Sequence, residues 1–283
     1  MESARTIADL RRHIGIWRGG GDRIGLVPTM GALHQGHMAL VRAARAECGR
    51  VVTSIFVNPK QFAPGEDLAS YPRREAADLA LLASAEVDLA FAPATADIYP
   101  AGFATVVRVT GLTDVLCGAH RAGHFDGVAT VVTKLLLQSS PDAAYFGEKD
   151  YQQLIVVRRL VADLDIPVRI VGVPTVREPD GLALSSRNAY LTPEQRRIAP
   201  AIARVLRSIA EAVARRPNSV ACELASGREE LRKAGFSLEY LEIRDAETLT
   251  PVTDQLTAPS RVFVAARLGR TRLIDNMPLT PPA

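Results

Sequence analysis

Pro28-Thr29-Met30-Gly31-Ala32-Leu33-His34-Gln35-Gly36-His37 joins an apolar run at 24–27 to a helical pattern at 36–48. A strand-to-helix turn at the carboxyl edge of a sheet is where doubly wound α/β folds bind ligands. Gly31 allows a tight backbone in that turn, and Gly36 lets an anion approach the start of the helix. Unpaired N–H groups and the positive end of the helix dipole favour negative charge there. His34 and His37, three residues apart, share a face on a first helical turn. Two imidazoles so placed can donate to phosphate oxygens as charge builds up. A lone histidine is more often a turn or surface residue. A pair at a glycine-flanked βα turn points instead to phosphate chemistry.

Outward from this turn, further strand patterns fall at 51–57, 87–91, 143–146 and 168–173, with helical patterns at 75–83, 128–137 and 151–164. Strand–helix alternation with short connections predicts a Rossmann-like, doubly wound parallel sheet covered on both faces. An apolar run at 105–109 interrupts the alternation and reads as an edge strand. Past about Pro174 the character changes. A polar loop at 177–188 leads to Thr192, placed to cap a helix whose first residue is Pro193. One long helix is expected over 193–214 and another over 221–234, ending at Gly235 in a left-handed cap. Strand patterns follow at 237–243, 261–266 and 271–274. The expected organisation is a Rossmann-like domain over 1–175, followed by a smaller α+β domain over 176–283.

Composition narrows the class. The 283 residues carry 34 basic and 31 acidic side chains, a net charge of +3, with no long Lys/Arg block. That balance suits a polyanionic small molecule and argues against a nucleic-acid partner. Cys48, Cys117 and Cys222 form no CxxC or Cys/His cluster, so neither a disulfide framework nor a zinc site is indicated. No apolar run approaches the roughly 18 residues that suggest a membrane span, and the start, MESARTIADLRRH, lacks the apolar stretch of a secretory signal. A cytoplasmic enzyme without membrane partners is expected.

Three more segments carry candidate chemistry. Phe56-Val57-Asn58-Pro59-Lys60-Gln61-Phe62 follows the second strand, where the neutral amide of Gln61 can hold a carboxylate or hydroxyl without dulling its nucleophilicity. Gly147-Glu148-Lys149-Asp150-Tyr151-Gln152-Gln153 offers a close backbone, a point charge for phosphate and a carboxylate for ribose hydroxyls. On residue chemistry alone it reads equally well as a solvated, charged helix start. Leu184-Ser185-Ser186-Arg187-Asn188 can wrap a triphosphate and close after it enters, though its composition also suits a serine-rich linker.

Taken together these strings carry a resemblance. The HxGH turn resembles that of the nucleotidylyltransferase superfamily, which includes the class I aminoacyl-tRNA synthetases. The wider PTMGALHxGH, FVNPxQF, FGEKDxQQ and DGLALSSRN (180–188) segments are similar, in order, to those of the pantothenate synthetase (pantoate–β-alanine ligase) family. The similarity runs from about Val27 to Asn276.

The resemblance implies an ATP-dependent ligase that joins pantoate to β-alanine through a pantoyl-adenylate, releasing AMP and pyrophosphate. It implies Met30, Gly31, Ala32, Leu33, His34, Gln35, Gly36 and His37 at the nucleotide, with Gly147, Glu148, Lys149 and Asp150. Val176 would contact adenine, and Leu184, Ser185, Ser186 and Arg187 would form the counterpart of the synthetase KMSKS loop. His37, His34, Lys149 and Arg187 are the expected catalytic set, and Gln61 and Gln153 the substrate amides. Mg2+ is expected with ATP. Relatives often carry an acidic pair implicated in binding it, but here Ala77 precedes Asp78, which leaves Asp78 as the one metal-ligand candidate. Relatives also often have methionine where Lys60 stands, and an RxGHFxGV string like that from Arg121 to Val128. A homodimer formed by the larger domain is implied as well.

The chemistry needs no general base, because an ionised carboxylate is already a nucleophile at neutral pH. The protein has to align it with the α-phosphorus and stabilise the spectator oxygens. Whether His37 also moves a proton stays open at this stage. Rival readings are a nucleotidylyltransferase that stops at adenylation and a non-catalytic nucleotide sensor.

Overall fold

Six parallel strands form the larger sheet: β1 Glu2–Ala4, β2 Ile24–Thr29, β3 Arg50–Ile55, β4 Leu89–Phe91, β5 Ala143–Gly147 and β6 Arg169–Val173, in the order β1-β4-β3-β2-β5-β6. The computed structural model describes residues 1–281. From β2 the chain steps outward through β3 to β4, then returns to β5 on β2's other side. The strand order therefore reverses between β2 and β5, the topological switch point at which such sheets bind ligands. The sequence string that opens at Pro28 leaves β2 on one side of that reversal, and Gly147 ends β5 on the other.

Helices α1 Ile7–Gly19, α2 Gln35–Glu47, α3 Glu75–Ser84, α4 Thr95–Ile98, α5 Cys117–His120, α6 His124–Ser139 and α7 Tyr151–Asp163 interleave with these strands. One face of the sheet packs Val27, Val51 and Tyr145 against Met38 and Val41 of α2 and Leu82 of α3, all buried. β2 and β3 are buried along nearly their whole length, as in a sheet covered on both faces.

The doubly wound class holds, with three local departures from expectation. β1 and α1 carry no strong pattern and were not anticipated. Thr6 caps α1 by accepting the Asp9 N–H at 3.1 Å. The run at 105–109 is not a strand: the Val107 N–H goes to the Thr130 hydroxyl at 3.0 Å, so a helix side chain replaces a strand partner. The single helix expected over 193–214 is two, α8 Pro193–Ile198 and α9 Ala201–Arg215. Pro200, which has no N–H to donate and crowds the preceding turn, stands at the break. The Thr192 cap forms as expected, accepting the Gln195 N–H at 3.2 Å.

The chain divides into two compact units. The larger contains residues 1–114, 121–148 and 153–174; the smaller contains 115–120, 149–152 and 175 onward. In the smaller unit, β7 Ser237–Asp245, β8 Ser260–Leu268 and β9 Thr271–Leu279 form an antiparallel sheet in that order. Its core joins Ile202, Leu206 and Ile209 of α9 to Leu241, Val264 and Leu273 of the strands. α10, Val220–Lys233, ends before Gly235, whose φ of +93° is the left-handed cap expected.

Candidate active site

In the larger unit the backbone leaves β2 through Gly31 at φ +77° and Ala32 at φ +51°. The Gly31 N–H goes back to the Thr29 hydroxyl at 3.2 Å, and the next two N–H groups, of Ala32 and Leu33, turn to one side. The Asp78 carboxylate, on the first turn of α3 and only 4% exposed, sits in that cradle. Its oxygens accept the Ala32 and Leu33 N–H groups at 2.8 Å each. A Cβ on residue 31 would lie 2.9 Å from Asp78 Oδ2, so glycine is required both by the φ and by the close approach. Asp78, the metal-ligand candidate, thus holds the turn through both of its oxygens. Among the described residues no group of three His, Cys, Asp or Glu side chains is placed to hold a metal ion.

His34 is the N-cap of α2, with Gln35, Gly36 and His37 filling its first three helical positions. His34 Nδ1 accepts the Gly36 N–H at 3.1 Å, and His37 Nδ1 accepts the His34 N–H at 3.3 Å. The two imidazoles thereby form a reciprocal capping box in place of the usual Ser/Thr and Glu/Gln. Because each Nδ1 accepts, each neutral ring carries its proton on Nε2. The ring centroids are 4.2 Å apart.

Beside this turn, Gln61 lies in a 3-10 turn, Pro59–Gln61, after β3. Its Nε2 donates to Met30 Sδ at 3.0 Å, and its Oε1 accepts from Asn58 Nδ2 at 3.0 Å. Asn58 was not singled out in the sequence, yet it is fully enclosed. It also donates to Gly127 O at 3.0 Å and accepts from the Tyr99 hydroxyl at 2.8 Å. Burial pushes the Tyr99 phenol up to about 12, so at neutral pH it remains a donor. The amide of Gln61 is therefore aimed by neighbours whose own orientations are fixed. Lys60 turns aside: its ammonium lies over the rings of Tyr99 and Phe103, 5.2 and 5.4 Å from their centroids. Gly147 ends β5, Glu148 opens the 3-10 turn that follows, and Gln153 is half-buried on α7.

In the smaller unit Lys149 and Asp150 complete a 3-10 turn, with Lys149 Nζ 3.6 Å from Asp150 Oδ2. The Lys149 carbonyl accepts Asn276 Nδ2 at 3.0 Å. The neighbouring residue on β9, Asp275, holds both arms of Arg177 at 2.6 and 2.9 Å. Arg177 opens a narrow loop in which Leu184 N donates to Val176 O at 3.0 Å and Leu182 O accepts from Glu178 N at 2.8 Å. Ser185 then caps the 3-10 helix Ser186–Tyr190, accepting the Arg187 N–H at 3.2 Å. Val176 and Leu184–Arg187 are thus brought together. Successive residues of β9 tie that loop and the Lys149 turn to one strand. Asp275 and Asn276, like Asn58, lie in segments whose polar residues stand out only once their burial is known.

A reversed parallel sheet with polar turns at its carboxyl edge defines a nucleotide-binding α/β protein. The family model described as pantoate-beta-alanine ligase matches residues 2–278. The chain belongs to the pantoate–β-alanine ligase family. It is 57% identical over 282 residues to the pantothenate synthetase of Paramagnetospirillum magneticum, covering 98% of this chain and 97% of that one. The pantothenate synthetase of Dinoroseobacter shibae is 55% identical over 273 residues, covering 96% and 97%. The crystal structure of pantothenate synthetase from Thermus thermophilus superposes with a TM-score of 0.94 at 53% identity, over 99% of this chain and 100% of that one. The Francisella tularensis pantoate-beta-alanine ligase complexed with beta-gamma ATP and beta-alanine gives 0.82 at 37% identity, over 98% and 97%.

Proposed function

We propose that this chain condenses pantoate with β-alanine at the expense of ATP, through a pantoyl-adenylate. The observation that carries the chemistry is the histidine capping box. By accepting backbone N–H groups at Nδ1, His34 and His37 each hold a proton on Nε2, at the start of α2 where anions are favoured. The pantoate carboxylate attacks the α-phosphorus of ATP, and the Nε2–H groups stabilise the charge growing on the spectator oxygens. Lys149 and Arg187 supply cations to the polyphosphate, and Ser185 and Ser186 supply hydroxyls. Gly147 and Asp150 face the ribose, with Glu148 beside them at the nucleotide and Val176 at the adenine. Gln61 and Gln153 hold pantoate, and Gln61 also meets β-alanine. The amine of β-alanine then attacks the mixed anhydride, giving pantothenate and AMP.

Magnesium accompanies ATP in this reading, its shell filled by phosphate oxygens and water. In this reading Asp78 serves the turn rather than the metal, being 4% exposed with each carboxylate oxygen accepting an N–H of the turn. The smaller unit acts as the lid. The protein works in the cytoplasm as a homodimer formed through the larger unit, which exposes Val106 and Leu137. No helix among the described residues is long and apolar enough to cross a membrane.

Pantoate labelled with heavy oxygen in its carboxylate tests the route. Adenylation leaves label in AMP, whereas label in inorganic phosphate would reveal an acyl-phosphate intermediate and end this proposal. AMP release that depends on β-alanine separates a ligase from an enzyme that stops at adenylation.

A further inference from the structure

The string from Arg121 to Gly127 takes no part in the reaction just described, yet its side chains converge on the Gln61 turn. His124 opens α6 with Nδ1 2.8 Å from the main-chain oxygen of Gln61. A carbonyl only accepts, so Nδ1 carries the proton. His124 Nε2 lies 2.9 Å from Arg121 Nη1. A guanidinium only donates, so Nε2 is the acceptor and the ring is neutral. Arg121 is gripped in turn by Glu66, Nε to Oε1 and Nη2 to Oε2 at 2.7 Å each, and Nη2 also reaches Gln61 O at 3.4 Å. One helical turn beyond His124, a Cβ on residue 127 would lie 2.2 Å from Lys60 O and 2.6 Å from Gln61 N. The helix therefore abuts the turn backbone to backbone, which only glycine permits.

We propose that Glu66, Arg121 and His124 form a positioning clamp that fixes the main chain of Gln61 and so aims its side-chain amide at the hydroxy-acid substrate. The clamp rests on the reading of Gln61 as the acid-binding amide. It touches no substrate. Glu66 locks the guanidinium, the guanidinium sets the tautomer of His124, and that tautomer presents its donor to the Gln61 carbonyl.

The test compares His124→Leu, His124→Asn, Glu66→Gln and Gln61→Ala, with KM for pantoate and for ATP measured separately and folding checked by melting temperature. The asparagine amide nitrogen can stand where Nδ1 stands and keep the donor, whereas leucine cannot. His124→Leu and Glu66→Gln should raise the pantoate KM about tenfold, as for loss of one charge-supported hydrogen bond, and move the ATP KM less than about twofold. His124→Asn should stay within about threefold of wild type. Because the clamp works only through Gln61, adding His124→Leu to Gln61→Ala should raise the pantoate KM no further. Should His124→Leu not fold, Glu66→Gln, which keeps the shape of the side chain, carries the same comparison. Equal rises for both substrates, additive effects in the double variant, or unchanged pantoate KM in the clamp variants beside a raised one in Gln61→Ala would overturn the clamp alone. An unchanged pantoate KM in Gln61→Ala would remove the reading of Gln61, and the clamp with it.

Discussion

Asp78 Oδ1 accepts the backbone N–H of Leu33 at 2.8 Å, across 45 residues of sequence. Together with the Ala32 contact, it fixes a turn whose two left-handed residues, Gly31 and Ala32, stand one residue before the histidine cap. Asp78→Asn replaces one acceptor with an NH2 that faces a backbone N–H. The turn should shift, and kcat/KM should fall on the order of 10- to 100-fold, the scale expected when catalytic groups move by about 1 Å. The magnesium concentration for half-maximal rate should not change. A metal ligand would move it, so the magnesium titration separates the two roles.

His37→Ala removes one Nε2 donor and the acceptor for the His34 N–H. Turnover, followed as pyrophosphate release, should drop on the order of 10²-fold or more. Stability should fall by about 1 kcal/mol, read from denaturant unfolding. A variant within threefold of wild-type turnover would cancel the assignment.

Lys149→Ala and Arg187→Ala should each cost about tenfold or more in kcat/KM for ATP, with little change in melting temperature. Full activity in both variants would leave the polyphosphate without its proposed cations.

Asp275→Asn should do the reverse of those two substitutions, acting first on stability. The Asp275 side chain is 2% exposed and paired with Arg177. Removing its charge leaves the Arg177 guanidinium with neutral acceptors, Gly181 O and Asn276 O among them, and breaking such a pair costs up to about 3–5 kcal/mol. Urea unfolding measures it, and a loss below about 1 kcal/mol would show the pair to be dispensable.

The Glu66–Arg121 pair should give the protein an acid-sensitive component of stability. Burial alone raises the Glu66 carboxyl, but hydrogen bonds and charge from Arg121 outweigh it and hold the group below its usual range. A carboxyl depressed on folding stabilises fully above its unfolded value of about 4.3. That contribution disappears as pH falls through the lower, folded value. The melting-temperature gap between wild type and Glu66→Gln should therefore be widest at neutral pH and close progressively below about pH 4. A gap that widened on acidification would contradict the depressed pKa.

What could be read from the sequence was whatever local pattern alone determines. Strand–helix alternation gave the parallel sheet, Thr192-Pro193 a helix start and Gly235 a helix end, because each signal is carried by neighbouring residues. Failures came where distant groups decide. The run at 105–109 has strand-like composition, but the partner of Val107 is a threonine hydroxyl on α6. Asp78 was a metal-ligand candidate by resemblance to the relatives' acidic pair, and a conspicuous charge says nothing of which N–H groups will surround it. Asn58 was passed over for the opposite reason: a neutral amide is unremarkable until it is enclosed and bonded on both sides. Pro200 is the one miss that local chemistry could have prevented, since an internal proline warns against an unbroken helix.

The histidine capping box also limits how this enzyme can be made hardier. Position 34 would ordinarily invite serine, aspartate or asparagine, since these are the strongest residues for beginning a helix. An engineer screening for heat tolerance would therefore be drawn to a replacement there, and the selected protein would withstand higher temperatures with its turnover impaired. Durability and activity compete for the same imidazole, so gains in robustness have to be sought elsewhere along the chain.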